Sequence, residues 1–385
     1  MINFKIFAPG RIVLSGEHSA AYGKQFIVAS LDRYTTLEFY ELPEQSGNIR
    51  IELLDVNLEL NISLEEVRNY FYQENLSYMQ SDSINLLKYV KDIITIKGMW
   101  KTNEQRFSLQ MFFFLLYSIY YHEHFEMKPF AVKVSSELPI GVGLGSSSSF
   151  AVCLSACFLH LQRLQCGDHI EFDNNELLAI ENYATSCEEL MQDYGFASID
   201  NDICINGNMK ICRRINFIRY SQQFINMEKM KILLIDSNIR QTKCERATQM
   251  ARLKHLISEF EFLLTKLDEI ATAMYNTFIS INHTVEKGYF RRREILYNDL
   301  QFHIRTNQQM LSDYHLSSSE FDLICSIVND FGFIGKLTGF GGGFIYILLS
   351  PNVSVNVTTN AIIRLKEEGF NVITTSINCD GVRIN

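Results

Sequence analysis

Positive charge is in deficit along this chain of 385 residues: 35 Lys+Arg stand against 44 Asp+Glu, leaving a formal net charge of −9. A general nucleic-acid binder needs a basic stripe to displace counterions from phosphates, so that class is set aside. Proline is scarce at 5 residues, and no internal repeat or low-complexity linker occurs. Long apolar runs are missing as well. The densest, Met111 to Tyr121, falls short of the roughly 20 residues that cross a bilayer and reads as a buried helix, so no membrane is expected as a partner. The first residues lack the charged, apolar and cleavage regions of a signal peptide. The 9 cysteines are odd in number, hold no C-x-x-C pair and follow no zinc spacing. A reducing, cytoplasmic setting is the expectation, with Cys153 and Cys157, one helical turn apart, in the core. His122-Glu123-His124 lacks the H-E-x-x-H spacing that sets two imidazoles on one helix face, and no metal is read there.

What is present is ordinary globular material, 47% hydrophobic and 21% charged, enough for roughly two domains of about 150 residues. After Thr242, apolar residues recur at three and four from Leu253 through Leu256, Ile257, Phe260, Leu263, Leu264, Leu267, Ile270 and Ala271 to Met274, predicting one long amphipathic helix. Arg291-Arg292-Arg293 reads as a solvated helix face.

Glycine is where the sequence concentrates its information. Of 20 glycines, 11 fall in three segments: Gly10, Gly16 and Gly23; Gly141, Gly143 and Gly145; Gly335, Gly339, Gly341, Gly342 and Gly343. Glycine weakens element interiors and serves where backbone turns sharply or meets a ligand, so the clustering marks a site. The first segment, Phe7 to Gly23, is a strand-like entry into a turn-rich loop holding Arg11, Glu17 and His18. The second, Val132 to Phe150, runs from a strand through Pro139-Ile140-Gly141-Val142-Gly143-Leu144-Gly145-Ser146-Ser147 into an apolar helix. Free N–H groups and the positive end of a helix dipole then point at one spot, which suits phosphate, and serine hydroxyls can add a Mg²⁺ ligand. It is not a Walker A loop, since G-x-x-x-x-G-K-[ST] is absent. In the third, Lys336 to Phe344, four glycines in five positions imply that something packs directly on the backbone.

Together these segments resemble the GHMP kinases, the family of galactokinase, homoserine kinase, mevalonate kinase and phosphomevalonate kinase. A-P-G-[KR]-x-x-L-x-G-E-H is similar to Ala8–His18, P-x-G-x-G-L-G-S-S to Pro139–Ser147, and K-L-T-G-x-G-G-G to Lys336–Gly343. Within the family the chain looks like the mevalonate kinase branch: Gly16 to Gly23 departs from the galactokinase G-E-H-T-D-Y, Arg240-Gln241-Thr242 resembles R-N-T, and Thr375 to Val382 resembles T-S-I-x-x-x-G-V.

The resemblance implies a two-domain α/β (α+β) fold. A ribosomal-protein-S5-like ATP-binding half would span residues 1–225 and a ferredoxin-like half residues 226–385, the latter opening near the strand Lys231 to Asp236. It implies that Glu137, Pro139, Gly141, Gly143, Leu144, Gly145, Ser146, Ser147, Gly341 and Gly342 bind ATP. Ser147 and Glu188 would hold Mg²⁺, and Glu17, His18, Ser198, Thr242 and Gly339 would contact the acceptor. Asp200 would face the acceptor hydroxyl with Arg11 as the adjacent cation. Asp202 competes with Asp200 for that role, and Glu189 with Glu188. The acidic loop departs from the family's G-x-P-S-G-x-D-N, and Arg11 stands where mevalonate kinases usually carry lysine. The implied acceptor is (R)-mevalonate, with feedback inhibition by prenyl diphosphates and a homodimer. Another small-molecule kinase of the family and a non-catalytic descendant stay open at this level.

Overall fold

The computed structural model describes residues 1–71, 83–191, 197–216, 220–241, 243–339 and 342–385. Two long antiparallel strands, β1 (Asn3–Ser15) and β2 (Gln25–Glu41), form its spine. Phe4, Ile6 and Ala8 alternate inward at the start of β1, as period two requires of a strand with one covered face. From Ala8 onward every residue of β1 is buried, because Ile12 and Leu14 pack on one side against Met274 and Phe278, and Val13 on the other against Ile199 and Ile203.

The first half continues through β3 (Asn48–Leu53), β4 (Leu58–Ser63), α1 (Leu64–Phe71), α2 (Ser83–Ile96), α3 (Asn103–Glu123), β5 (Phe130–Ser136), α4 (Ser146–Cys166), α5 (Asn174–Met191), α6 (Ala197–Asn206), β6 (Met209–Arg214) and β7 (Tyr220–Ile225). The second runs β8 (Met230–Asp236), α7 (Lys243–Leu256), α8 (Phe260–Glu286), α9 (Phe290–Asp313), α10 (Ser319–Asn329), β9 (Gly335–Thr338), β10 (Phe344–Leu348), α11 (Val355–Glu367), β11 (Asn371–Ile377) and β12 (Arg383–Ile384). The mixed α/β expectation holds.

The described strands join one sheet whose path is β4-β3-β5-β2-β11-β8-β10-β9, with β1 and β6 on β2, β7 on β6 and β12 on β1. A bridge at Ile377 and Leu31 links the two halves of the path. One apolar cluster lies beneath the first half around α3 and α4, where Phe112, Phe113, Cys153 and Cys157 are buried, with Val382 and Ile384 packed against it. A second, around Ile12, Leu144, Met274 and Tyr346, is shared by both halves and forms the floor of the seam. No described helix is long and apolar enough to cross a membrane.

Two expectations are corrected. The single helix after Thr242 is two, α7 and α8, separated by a turn at 257–259. One turn of non-helical backbone barely disturbs the phase of an apolar stripe, so periodicity bridged the gap, and Leu256, counted in that stripe, is exposed at 80%. Arg11, expected in a loop, sits within β1, its side chain buried in the seam.

Candidate active site

The first two glycine segments meet at Arg11, and the third packs on the second. Gly145 has φ of +79°, and a Cβ there would stand 2.8 Å from Arg11 Cγ, so the loop can close over the side chain only with glycine. The Arg11 backbone N–H donates to Leu144 O at 2.9 Å, and its Nη1 donates to Gly143 O. What packs on the third glycine run is the second: a Cβ on Gly143 would lie 3.0 Å from Gly342 Cα, and one on Gly339 2.8 Å from Gly143 O.

The guanidinium is fully committed. Arg11 Nε donates to Asp200 Oδ1 at 2.6 Å and Nη2 to Oδ2 at 2.7 Å, a bidentate pair between β1 and α6. The two side chains are 1% and 3% exposed. Burial works against the Arg11 charge, but Asp200 outweighs it and the pKa is raised. Asp200 stands in the first turn of helix α6 rather than in a loop.

Both open pairs of alternatives separate. Asp202 is held by Lys210 Nζ and accepts from Asn206 Nδ2 at 2.6 Å, away from Arg11. Glu188 is buried and Glu189 exposed, because adjacent residues on α5 point to different faces. Glu188 Oε2 accepts from Ser148 Oγ at 2.7 Å, a contact that sequence reasoning missed because Ser148 is one of four successive serines. Ser147 sits half-buried in the first turn of α4.

A cavity of about 330 Å³ opens at Arg11. Gly141, Gly143, Gly145, Ser146, Ser147 and Arg11 line one part, and Leu53, Phe107, Met111, Val134 and Phe150 another, with Asp55, Glu104 and Ser108 among them. Phosphate-seeking N–H groups and an apolar slot for a flat ring are thus joined in one space. Leu144 turns its side chain into the core, and Glu137 turns outward, accepting from the Tyr34 N–H at 3.1 Å beside Arg33. Ser198 is half-buried two residues before Asp200. Thr242 and Gly341 lie outside the described residues.

Glu17 and His18 belong to a second buried cluster. Lys336 Nζ donates to Glu17 Oε1 at 2.6 Å, and Arg246 Nη1 meets His18 Nε2 at 2.9 Å. Burial disfavours the Glu17 charge, yet Lys336 prevails and the pKa falls to about 2. Burial, then the Arg246 charge, push His18 down to about 4. Lys336 is lowered by burial against the pull of Glu17. Glu17 Oε2, His18 Nδ1, Arg246 Nε and Asn307 Oδ1 are buried without hydrogen-bond partners, and Asn307 Nδ2 donates to Ser15 Oγ at 2.8 Å. Buried orphan polar atoms in such number mark a surface built for a polar ligand. Lys336 was visible in its motif, whereas Arg246 follows no motif and gave no sequence signal.

The GHMP kinases N terminal domain matches residues 114–198. A mevalonate kinase of Dictyostelium discoideum is 28% identical over 99% of this chain and 96% of its own length. Among solved structures, the Methanococcus jannaschii mevalonate kinase superposes with a TM-score of 0.68 at 19% identity, covering 99% of this chain and 98% of its own. The L. major mevalonate kinase, solved in complex with R-mevalonate, gives 0.62 at 15% identity over 98% and 96%. The structures share the fold with this chain; the curated relative and the matched domain bear out the resemblance carried by the three motifs and support a kinase.

Proposed function

We propose that this chain, a kinase of the GHMP type, transfers the γ-phosphoryl group of ATP to the 5-hydroxyl of (R)-mevalonate, giving 5-phosphomevalonate and ADP for isoprenoid precursor synthesis. The observation that carries the proposal is the cavity lined by the Gly/Ser loop and Arg11, whose guanidinium holds Asp200.

Phosphoryl transfer runs through a loose transition state, so the protein chiefly positions donor and acceptor and offsets spreading negative charge. Backbone N–H groups from Gly141 to Ser147 hold the phosphates. The acceptor oxygen bonds to the γ-phosphorus as the bond to the bridging β–γ oxygen breaks, and Asp200 takes the hydroxyl proton. Both Asp200 oxygens accept from Arg11, and a carboxylate has about four lone-pair sites, so capacity remains for that hydroxyl. Ser147 and Glu188 are hard oxygen donors, the set Mg²⁺ prefers, and would hold it in their half of the site. Bound there, Mg²⁺ would offset charge on the phosphates. Glu17, His18, Ser198, Thr242 and Gly339 hold the acceptor on this reading, and Gly339 and Gly342 pack on the loop.

The test is ADP release with mevalonate, phosphomevalonate and galactose offered in parallel with Mg-ATP. Mevalonate is expected to be turned over and galactose not; equal or better turnover of another acceptor overturns the proposal. The reading extends to a cytoplasmic homodimer, checked by sedimentation, and to prenyl diphosphates that share the Gly/Ser loop with ATP. Farnesyl diphosphate is expected to raise the apparent KM for ATP more than it lowers kcat, and inhibition indifferent to ATP concentration overturns the shared loop.

A further inference from the structure

Arg246 carries a charge that the protein does not balance. It is 5% exposed, on the first turns of α7, and its contacts are neutral: His18 Nε2 at 2.9 Å, Leu316 O at 3.0 Å and Gln249 Oε1 at 3.5 Å. The carboxylate that acts on it, Glu17, is already held by Lys336 Nζ at 2.6 Å, and Arg246 Nε has no partner at all. Among the described residues no carboxylate lies within ion-pair distance of Arg246. A buried guanidinium without a counter-ion is costly, and folded proteins keep one where a ligand supplies the missing charge. Access exists. An open cavity of about 810 Å³ between α7 and the α9–α10 turn is lined by Arg246, Gln249, Arg252, Leu316, Ser317 and Ser318.

The contact with His18 fixes a tautomer. An arginine N–H can only donate, so His18 Nε2 must accept, and the imidazole proton resides on Nδ1. That Nδ1–H is buried, with Glu17 Oε1 at 3.5 Å but in no hydrogen-bond geometry. Two donors without a hydrogen bond, Arg246 Nε–H and His18 Nδ1–H, thus sit in one buried cluster with Glu17 and Lys336, where two cations stand against one anion.

We propose that Arg246 reads the carboxylate of the acceptor and fixes His18 as a second donor beside it, making this the residue that selects an anionic acceptor. The inference rests on the reading of His18 as an acceptor contact. Guanidinium suits a carboxylate because Nε and Nη2 can donate in parallel while Nη1 keeps Leu316 O and His18 in place.

Initial rates decide it, comparing wild type, Arg246→Gln and Arg246→Lys on mevalonate and on its neutral primary amide at saturating ATP. Wild type is expected to favour the carboxylate over the amide by about 10- to 100-fold in kcat/KM, the scale of a charge-assisted hydrogen bond. Arg246→Gln should erase that preference by raising the KM for mevalonate, leaving kcat and the KM for ATP within about threefold. Arg246→Lys keeps charge but not the fork and should recover part of it. An amide used as well as the acid by wild type, or a preference that survives in Arg246→Gln, overturns the inference; so does a fall in kcat with the preference intact, which would leave Arg246 only a structural support. Should Arg246→Gln not fold, the wild-type ratio and the partial loss of preference in Arg246→Lys decide the question in its place. Phosphomevalonate as the sole acceptor would overturn the mevalonate reading while the Arg246→Gln comparison on that anion still decides the inference, and galactose as acceptor would overturn both.

Discussion

At the residue scale the two aspartates of α6 part company. Asp200→Asn keeps shape but removes the carboxylate that takes the proton in the proposed reaction, so kcat is expected to fall by about 10²-fold or more while ATP binding survives. Asp202→Asn instead strands Lys210, buried at 1% exposure, and is expected to cost about 3–5 kcal/mol of stability, read as a lower Tm, with kcat of the folded enzyme near normal. The reverse pattern would exchange their roles. Acid sensitivity belongs to the neighbouring cluster. The His18 pKa is lowered from 6.5 to about 4, so the unfolded chain binds its proton first; stability from this residue is complete above pH 6.5 and drains away as pH falls through 4. Glu17, lowered from 4.5 to about 2, adds a second loss below pH 4.5. Denaturant titrations at pH 7 and pH 5 are expected to show a drop in wild type that His18→Gln lacks; parallel drops would remove His18 as the cause. Arg11 and Asp200, separated by 189 positions, were legible because each fills a slot in a contiguous motif. Arg246 was not, since its meaning depends on a charge balance that only three-dimensional packing creates.

Among the elements, the glycine loops make the sharpest demand. Gly145→Ala would place a methyl 2.8 Å from Arg11 Cγ at a φ of +79°. Strain and clash together are expected to cost about 2–4 kcal/mol and to turn Arg11 away from Asp200, so Tm and kcat should fall together. Gly141→Ala has a φ of +74° but open space around it, and should lose stability through backbone strain with a smaller fall in kcat. Equal losses of kcat would deny that the Arg11 contact matters. These loops could be read in sequence because each is continuous. Helix α6 could not, although Ile199 and Ile203 show the i, i+4 spacing of a buried face, because family likeness put a loop there. The break between α7 and α8 escaped for the opposite reason, its apolar stripe being continuous across the turn.

For the molecule as a whole, the boundary proposed near residue 225 lies in a chain whose sheet is undivided. β11 crosses to β2, β12 returns to β1, and Asn385 exchanges two backbone hydrogen bonds with Lys5, at 2.9 and 3.1 Å. Deleting residues 379–385 is therefore expected to lower the Tm of the entire protein in one transition, as calorimetry would reveal; two separate transitions, with the upper one unchanged, would argue for independent halves. The three family-like motifs made the fold class legible, but strand pairing between positions hundreds apart leaves no local trace in sequence. That closure has a consequence for the order of events on the ribosome. Ile6 and Phe7 find their outer neighbours in Ile384 and Arg383, so the edge of β1, made long before β12, stays uncovered until residue 384 has emerged. An open strand edge is a template for pairing with other chains, and for most of its synthesis the nascent protein must rely on chaperones, or on speed, to keep that edge for itself.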